Sequence, residues 1–210
     1  MPAPSPFLNL FRRSGVWLAW QRWRWHRAAR VAASADRARM LAELPALGEP
    51  FALDQLSAAL RDQDPVLRQF AADGLVALRA TTRLTAALLH PSAHVRADAA
   101  EALGDTRDAD AVHPLIVALR DGSPLVRSQA AYALGELGAR DAVAPLGTSL
   151  RDPAPSVRRL SAYALGNIGD PAAIEPLMEA LDDPDGEVRA AVASALHRLE
   201  DARTGESRRV

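Results

Sequence analysis

Apolar residues recur along most of this chain at spacings of three and four, which is the period of an α-helix. A clear example runs through Val126, Ala130, Ala133, Leu134 and Leu137. This spacing predicts amphipathic helices that each bury one stripe of side chains. Runs of β-branched residues with strand-type alternation do not occur in the sequence. The pattern therefore predicts an all-α protein.

The helical pattern repeats at a fixed interval of 31 residues. Proline–leucine steps show it most clearly, because they place Leu115, Leu146 and Leu177 one period apart. The same interval separates four valine–arginine pairs, Val95-Arg96, Val126-Arg127, Val157-Arg158 and Val188-Arg189. Leu67-Arg68 marks an earlier copy whose connector is three residues shorter. Self-similarity at one period predicts a stack of equivalent units.

Each unit is predicted to contain two helices. Proline before the first leucine, as at Pro114, suits the opening turn of the first helix, where its missing N–H is not needed. Four residues are candidate N-caps of second helices: Asp64, Ser92, Ser123 and Asp185. Gly138 and Gly169 are predicted to end second helices in a left-handed conformation. Three further glycines are predicted to mark close packing of a neighbouring helix: Gly104, Gly135 and Gly166.

The repeated unit resembles the short HEAT-like repeat named after phycobilisome lyase subunits. In one copy the matching positions are Leu115, Leu119, Asp121, Val126, Arg127, Ala130, Ala131, Ala133, Leu134 and Gly135. The resemblance implies an all-α, right-handed α-solenoid of about five two-helix repeats. These repeats are predicted to span residues 51–79, 80–110, 111–141, 142–172 and 173–203. A basic helical cap or arm, residues 1–50, is predicted to precede them, and a flexible tail, residues 204–210, to follow.

Composition adds one restriction and one asymmetry. The chain has 210 residues and no cysteine, which excludes disulfides and thiolate metal sites. Its formal net charge of −1 conceals two parts of opposite sign. Residues 1–40 contain eight arginines and one acidic residue, Asp36, so their charge is +7 and the remainder carries −8. Opposite signs suggest two separate tasks, or the docking of one part on the other.

Aspartate and arginine recur once per unit, as Asp62/Arg68, Asp121/Arg127, Asp152/Arg158 and Asp183/Arg189. A residue type needed once per repeat is typical of stacking contacts rather than of catalysis. We therefore predict that each carboxylate accepts backbone N–H bonds in its turn and meets an arginine from a neighbouring unit. His90 replaces the aspartate of the second unit. That position is predicted to form a weaker or neutral contact.

The sequence predicts no catalytic, metal-binding or cofactor-binding residues. Deoxyhypusine hydroxylase, a relative of this repeat architecture, is an iron enzyme that binds its metal through paired His-Glu steps. No histidine of this chain is followed by glutamate. His90 and His94 are four residues apart, but Pro91 places them in a turn rather than on one helical face. Nucleophile triads and phosphate-binding loops are not visible either.

Binding residues are predicted on the second helices, where positions i, i+4 and i+8 face together. In HEAT-like stacks these helices line the concave groove. The groove is predicted to be acidic near its start, aromatic in the middle and basic toward its end. The chain contains two tyrosines, which the register places side by side, and tyrosine is a frequent binding anchor. The predicted groove residues are Asp73, Glu101, Tyr132, Glu136, Arg159, Tyr163 and Asn167.

The N-terminal segment contains all four tryptophans, interleaved with arginines. Three hypotheses compete for it: a cap that covers the open hydrophobic end of the stack, an anchor for an anionic membrane surface or partner, and a nucleic-acid contact. The acidic repeats disfavour nucleic acid, because phosphates would be repelled. The residues predicted to dock on a membrane or partner are Trp17, Trp20, Arg22, Trp23, Arg24 and Trp25.

These observations predict a non-catalytic scaffold or adaptor that holds an unidentified protein partner in the concave groove. The resemblance implies one alternative, a bilin lyase-like subunit or chromophore-handling protein, since relatives of the repeat attach or detach bilins on light-harvesting proteins. A metal oxygenase similar to deoxyhypusine hydroxylase is disfavoured by the missing His-Glu pairs. We expect no cofactor and a cytoplasmic location, with peripheral membrane association as an alternative.

Overall fold

The computed structural model describes Leu41, Leu44 and residues 49–207, with side chains for residues 51–202 and the two leucines. The secondary structure of these residues is α-helix and short 3-10 helix, without strands. The all-α prediction is thereby confirmed. The chain divides into two compact units, Met1–Ala80 and Thr81–Val210.

The first unit contains the helices α1, Glu49–Ala59, and α2, Pro65–Ala77, which pack on each other. Leu56 of α1 and Leu67 of α2 are fully buried. Asp64 is the N-cap of α2, because its carboxylate accepts the N–H of Val66. The unit thus has the two-helix form that the sequence period predicts.

The second unit contains four further helix pairs. In each pair a short first helix is followed by a longer second helix, and a 3-10 turn precedes the first helix of the last three pairs. The first helices are α3, Thr81–Ala87; α5, Val112–Ala118; α7, Val143–Ser149; and α9, Ile174–Glu179. The second helices are α4, Ala93–Asp105; α6, Pro124–Glu136; α8, Pro155–Ile168; and α10, Gly186–Ser207.

Consecutive second helices pack directly on one another, α4 on α6, α6 on α8 and α8 on α10. Each also packs on the first helix of its own pair. This succession makes the second unit an α-solenoid, in which each pair buries its apolar side against its neighbours. The landmark leucines and valines have no exposed surface: Leu115, Leu146, Leu177, Val126, Val157 and Val188.

Three glycines set how closely the second helices approach. A Cβ built on Gly104 would lie 2.9 Å from the Cα of Ala133, and one on Gly135 would lie 2.7 Å from the Cα of Ala164. A Cβ built on Gly166 would lie 2.8 Å from the Cα of Ala195. Real Cβ atoms do not come so near to a backbone carbon, so only glycine permits this spacing. The prediction of close helix packing at these glycines is confirmed.

The predicted caps are correct in part. Asp185 accepts the N–H groups of Glu187 and Val188 and so caps α10. Ser92 and Ser123 occupy the predicted N-cap positions, although their hydroxyls make no capping bond. The side chain two residues before each serine accepts the serine N–H and so helps to organise the turn.

Gly138 and Gly169 adopt the predicted left-handed conformation, with φ of 60° and 70°. Arg107 occupies the position one period before Gly138 and has a φ of 53°. Arg79, at the corresponding place in the first unit, has a φ of 51°. The turn geometry is therefore kept even where the residue is not glycine, at a backbone cost that glycine avoids.

Candidate functional site

The recurring aspartates and arginines form a ladder between consecutive repeats, which we call the aspartate–arginine ladder. Each arginine donates from Nε and Nη2 to both oxygens of the aspartate 25 residues further on. The Nε–Oδ2 distances are 2.6–2.7 Å and the Nη2–Oδ1 distances 2.8–2.9 Å. The three pairs are Arg96–Asp121, Arg127–Asp152 and Arg158–Asp183.

Each ladder residue also bonds within its own turn. Nη1 of Arg127 donates to the carbonyl of Asp121 at 2.8 Å, and Oδ1 of Asp121 accepts the N–H of Ser123 at 2.8 Å. The hydrogen bond from Arg96 lowers the pKa of Asp121 against the opposing effect of burial. The pKa of Asp183 is lowered in the same way by Arg158. With their polar atoms so engaged, the six residues of the three pairs hold consecutive repeats together.

His90 takes over part of the missing aspartate's role. Its Nδ1 accepts the N–H of Ser92 at 3.1 Å, just as Asp62 in the first unit accepts the N–H of Asp64 at 3.0 Å. Nη1 of Arg96 donates to the carbonyls of His90 and Pro91. An imidazole nitrogen can therefore organise this turn without a negative charge.

The two tyrosines meet on the exposed side of α6 and α8. The rings of Tyr132 and Tyr163 stack with their centroids 5.7 Å apart and their planes inclined by 16°. Both side chains are half-buried. Parallel, close aromatic rings form a rigid surface of large area, which loses little conformational freedom when something binds to it.

Polar side chains from three repeats surround this stack. Oε1 of Glu136 accepts hydrogen bonds from the Tyr163 hydroxyl at 3.0 Å and from Nδ2 of Asn167 at 3.2 Å. Arg198 donates to Oδ1 of Asn167, and its guanidinium lies 5.3 Å from the centre of the Tyr163 ring. We call the five residues the tyrosine surface: Tyr132, Glu136, Tyr163, Asn167 and Arg198.

The sequence register places Arg198 on the same face as the predicted groove residues, although Arg198 was not included among them. It lies 31 residues after Asn167, which in turn lies 31 residues after Glu136. Residues at this spacing hold equivalent positions on successive second helices. All three side chains are exposed.

Tyr132 faces the acidic part of the solenoid. Burial raises the pKa of Tyr132, and the charges of Glu136, Asp105 and Glu101 raise it further, with Tyr163 adding to the effect. Glu101 holds the position one period before Tyr132. Acidic side chains thus lie beside Tyr132, whereas the cationic Arg198 lies over Tyr163.

The remaining predicted residues lie in several places. Arg159 pairs with Glu187 at 3.7 Å, also along the second helices. Asp73 belongs to the first unit, where it accepts a hydrogen bond from Gln69 at 3.1 Å. The residues predicted for membrane or partner docking lie outside the described residues: Trp17, Trp20, Arg22, Trp23, Arg24 and Trp25.

Among the described residues, no group of three or more histidine, aspartate or glutamate side chains is arranged to hold a metal ion. None of the helices described is both long enough and apolar enough to cross a membrane.

Comparisons with known proteins agree with the solenoid architecture. The sequence profile for HEAT repeats matches residues 81–154 and 144–206. The complex of CpcE and CpcF of phycocyanin lyase from Nostoc sp. PCC7120 is 28% identical, with a TM-score of 0.59 over 73% of this chain and 67% of that chain. No curated protein sequence matches the chain.

Two other solved structures share the fold at lower identity. Human deoxyhypusine hydroxylase is 23% identical, with a TM-score of 0.52 over 87% of this chain and 84% of that chain. The Escherichia coli protein YIBA is 20% identical, with a TM-score of 0.59 over 98% of this chain and 81% of that chain. At these identities the likeness concerns the architecture alone.

Proposed function

The chain belongs to the HEAT-repeat family, and from this premise we propose that it is a non-catalytic scaffold that binds a protein segment along the exposed side of its second helices. The stacked pair of Tyr132 and Tyr163 is the observation that carries the proposal. Two rigid aromatic rings, set in a row of exposed polar side chains, have the composition of a protein-binding hot spot.

The tyrosine surface is held ready before a partner arrives. Glu136 fixes the Tyr163 hydroxyl, and Arg198 covers part of the Tyr163 ring. Because these side chains are already ordered, this surface would lose less conformational entropy on binding than a flexible surface would. Preorganisation therefore favours a binding role over a chance surface contact.

Charge gives the proposed surface a direction. Glu101 and Asp105 lie toward the Tyr132 side, and Arg198 lies on the Tyr163 side. A segment with basic side chains at one end and acidic ones at the other would match this order. We include Arg159 in the proposed surface. Asp73 is proposed as a binding residue of the first unit by itself.

The test compares the wild-type chain with a Tyr132→Ala, Tyr163→Ala double variant as baits for proteins from the source organism, quantified by mass spectrometry. Met178→Ala is the matched control, since Met178 is a 58% exposed apolar residue on a first helix. We expect the double variant to lose the specifically captured proteins and the control to keep them. Equal capture by a double variant with unchanged circular dichroism would reject the tyrosine surface.

A bilin lyase-like subunit is the second candidate. The 28% identity to the phycocyanin lyase complex favours it. Mixing the chain with free bilin tests it directly, because a bound chromophore changes its absorbance spectrum. An unchanged spectrum at high concentrations of both components would count against this candidate and leave the scaffold proposal intact.

A further inference from the structure

Arg189 is the ladder arginine of the last repeat, and its own turn holds it in the same way as the others. Its Nη1 donates to the carbonyls of Asp183 at 2.6 Å and Pro184 at 3.1 Å. Arg158 makes the corresponding bonds to Asp152 at 2.9 Å and Pro153 at 3.3 Å. The guanidinium of Arg189 is therefore fixed in position by two backbone carbonyls of its own turn.

The opposite edge of Arg189 meets no carboxylate of the described side chains. In the three preceding repeats, Nε and Nη2 hold the carboxylate of the following repeat at 2.6–2.9 Å. Arg189 is exposed, and no carboxylate among the described side chains forms an ion pair or hydrogen bond with it. A fork of two N–H groups is thus presented to solvent in a pose that binds aspartate three times elsewhere in this chain.

We infer that Arg189 is a carboxylate-binding site, which takes an aspartate side chain from a turn of a partner protein. A fixed guanidinium fork matches both oxygens of a carboxylate, and such paired, charge-assisted hydrogen bonds are among the stronger ones in proteins. Asp182, Asp185 and Glu187 lie close by in the sequence. Their negative charge favours a partner that presents a single carboxylate over one with a run of acidic residues.

The occupant is a foreign turn rather than a second copy that continues the stack. His197 holds the position one period after Gly166. At the three glycines of this register the next helix comes so close that even a Cβ would lie 2.7–2.9 Å from an alanine Cα. An imidazole cannot be accommodated in that space. Another repeat stacked with the same geometry is therefore blocked, while the Arg189 fork stays accessible.

The test uses the full chain with labelled arginines and follows the Nε–H resonances by NMR. The probe is an acetylated, amidated peptide that copies residues 149–156, the turn that presents Asp152 to Arg127. A peptide with Asn in place of this Asp is the matched probe. The Arg189 resonance is assigned by its loss in Arg189→Lys, which keeps the charge and removes the fork.

We expect the aspartate peptide to shift the Arg189 resonance and to bind about tenfold more tightly than the asparagine peptide. Arg189→Lys should reduce binding by a similar factor. Arg140, an exposed arginine in a 3-10 turn, should not respond. Equal affinity for both peptides, or equal shifts at Arg140, would overturn the site.

The Arg189 site is separate from the tyrosine surface, so the peptide titration does not decide the proposed scaffold function, and the capture experiment does not decide the Arg189 site.

Sedimentation velocity over a range of concentrations tests the choice of occupant. We expect the wild-type chain and Arg189→Lys to show the same sedimentation behaviour at every concentration. A concentration-dependent dimer that Arg189→Lys abolishes would show that a second copy supplies the carboxylate, and would overturn the assignment to a foreign turn.

Discussion

Arg127 binds Asp152 through both carboxylate oxygens, although the two residues are 25 positions apart and belong to different repeats. The same arginine also donates to the carbonyl of Asp121 in its own turn. One side chain thus ties the turn of its own repeat to the turn of the next. Because the contact recurs at Arg96 and Arg158, it fixes how each repeat sits on its neighbour.

Asp183→Asn should destabilise the chain by about 3–5 kcal/mol, the cost of removing one partner from a buried ion pair. The side chains of Asp183 and Arg158 are only 6% and 11% exposed, so the substitution leaves a buried guanidinium without its counter-charge. Asp182→Asn is the matched control at an exposed position and should change stability by less than about 0.5 kcal/mol. Chemical denaturation measures both. Equal effects would contradict the structural role of the ladder.

Acid should weaken the solenoid through the same aspartates. Their folded-state pKa values are lowered. Hydrogen bonds from Arg96 to Asp121 and from Arg158 to Asp183 are the main causes at those two residues. At Asp152, burial has the largest single effect and raises the pKa, but the bond from Arg127 and the other favourable interactions lower it overall. A lowered pKa contributes stability above the unfolded value of about 3.9, and this stability is lost as pH falls through the folded pKa. We expect the free energy of unfolding to decline below about pH 4. The decline should be shallower in Asp183→Asn, and an identical slope would argue against this linkage.

Gly135→Ala should destabilise the chain by about 1–3 kcal/mol through overpacking. The new Cβ would lie 2.7 Å from the Cα of Ala164, and a backbone atom cannot move aside as a flexible side chain can. The higher helix propensity of alanine opposes this cost with less than about 1 kcal/mol. Gly122→Ala is the control, since its Cβ would meet nothing within 4 Å. Thermal unfolding of the pair gives the comparison, and equal stabilities would disprove the close approach.

Glu136→Gln should lower the pKa of Tyr132 toward its ordinary value. Burial raises the pKa of Tyr132 most, and the charge of Glu136 is the next largest cause, so the fall should be partial. Tyrosinate absorbance measures it in a Tyr163→Phe background, where Tyr132 is the single phenol of the chain. Glu175→Gln, at an exposed glutamate on a first helix, should leave the titration unchanged. A response to Glu175→Gln equal to that of Glu136→Gln would contradict the local origin of the shift.

The sequence by itself determined the helical class, the repeat and many of the buried residues, although Leu137 of the predicted buried stripe is only half-buried. Leu115 and Val126 could be assigned to the core because apolar periodicity is local and recurs every 31 residues. The structural role of the aspartates and arginines could be predicted too, since a residue needed once per repeat serves the stack. Gly138 and Gly169 showed where second helices end, because few other residues adopt a left-handed turn without cost.

Only the tertiary structure decided which polar side chains pair across repeats, although the register already placed the two tyrosines side by side. Arg127 binds Asp152, and Arg198 lies over Tyr163. Both contacts depend on the displacement and rotation between neighbouring helix pairs. These two quantities arise from the packing of whole helices at close contacts such as Gly135, and no local pattern encodes them. The left-handed backbone of Arg107 is also decided by the tertiary structure, because the repeat geometry imposes a conformation that a residue with a side chain disfavours.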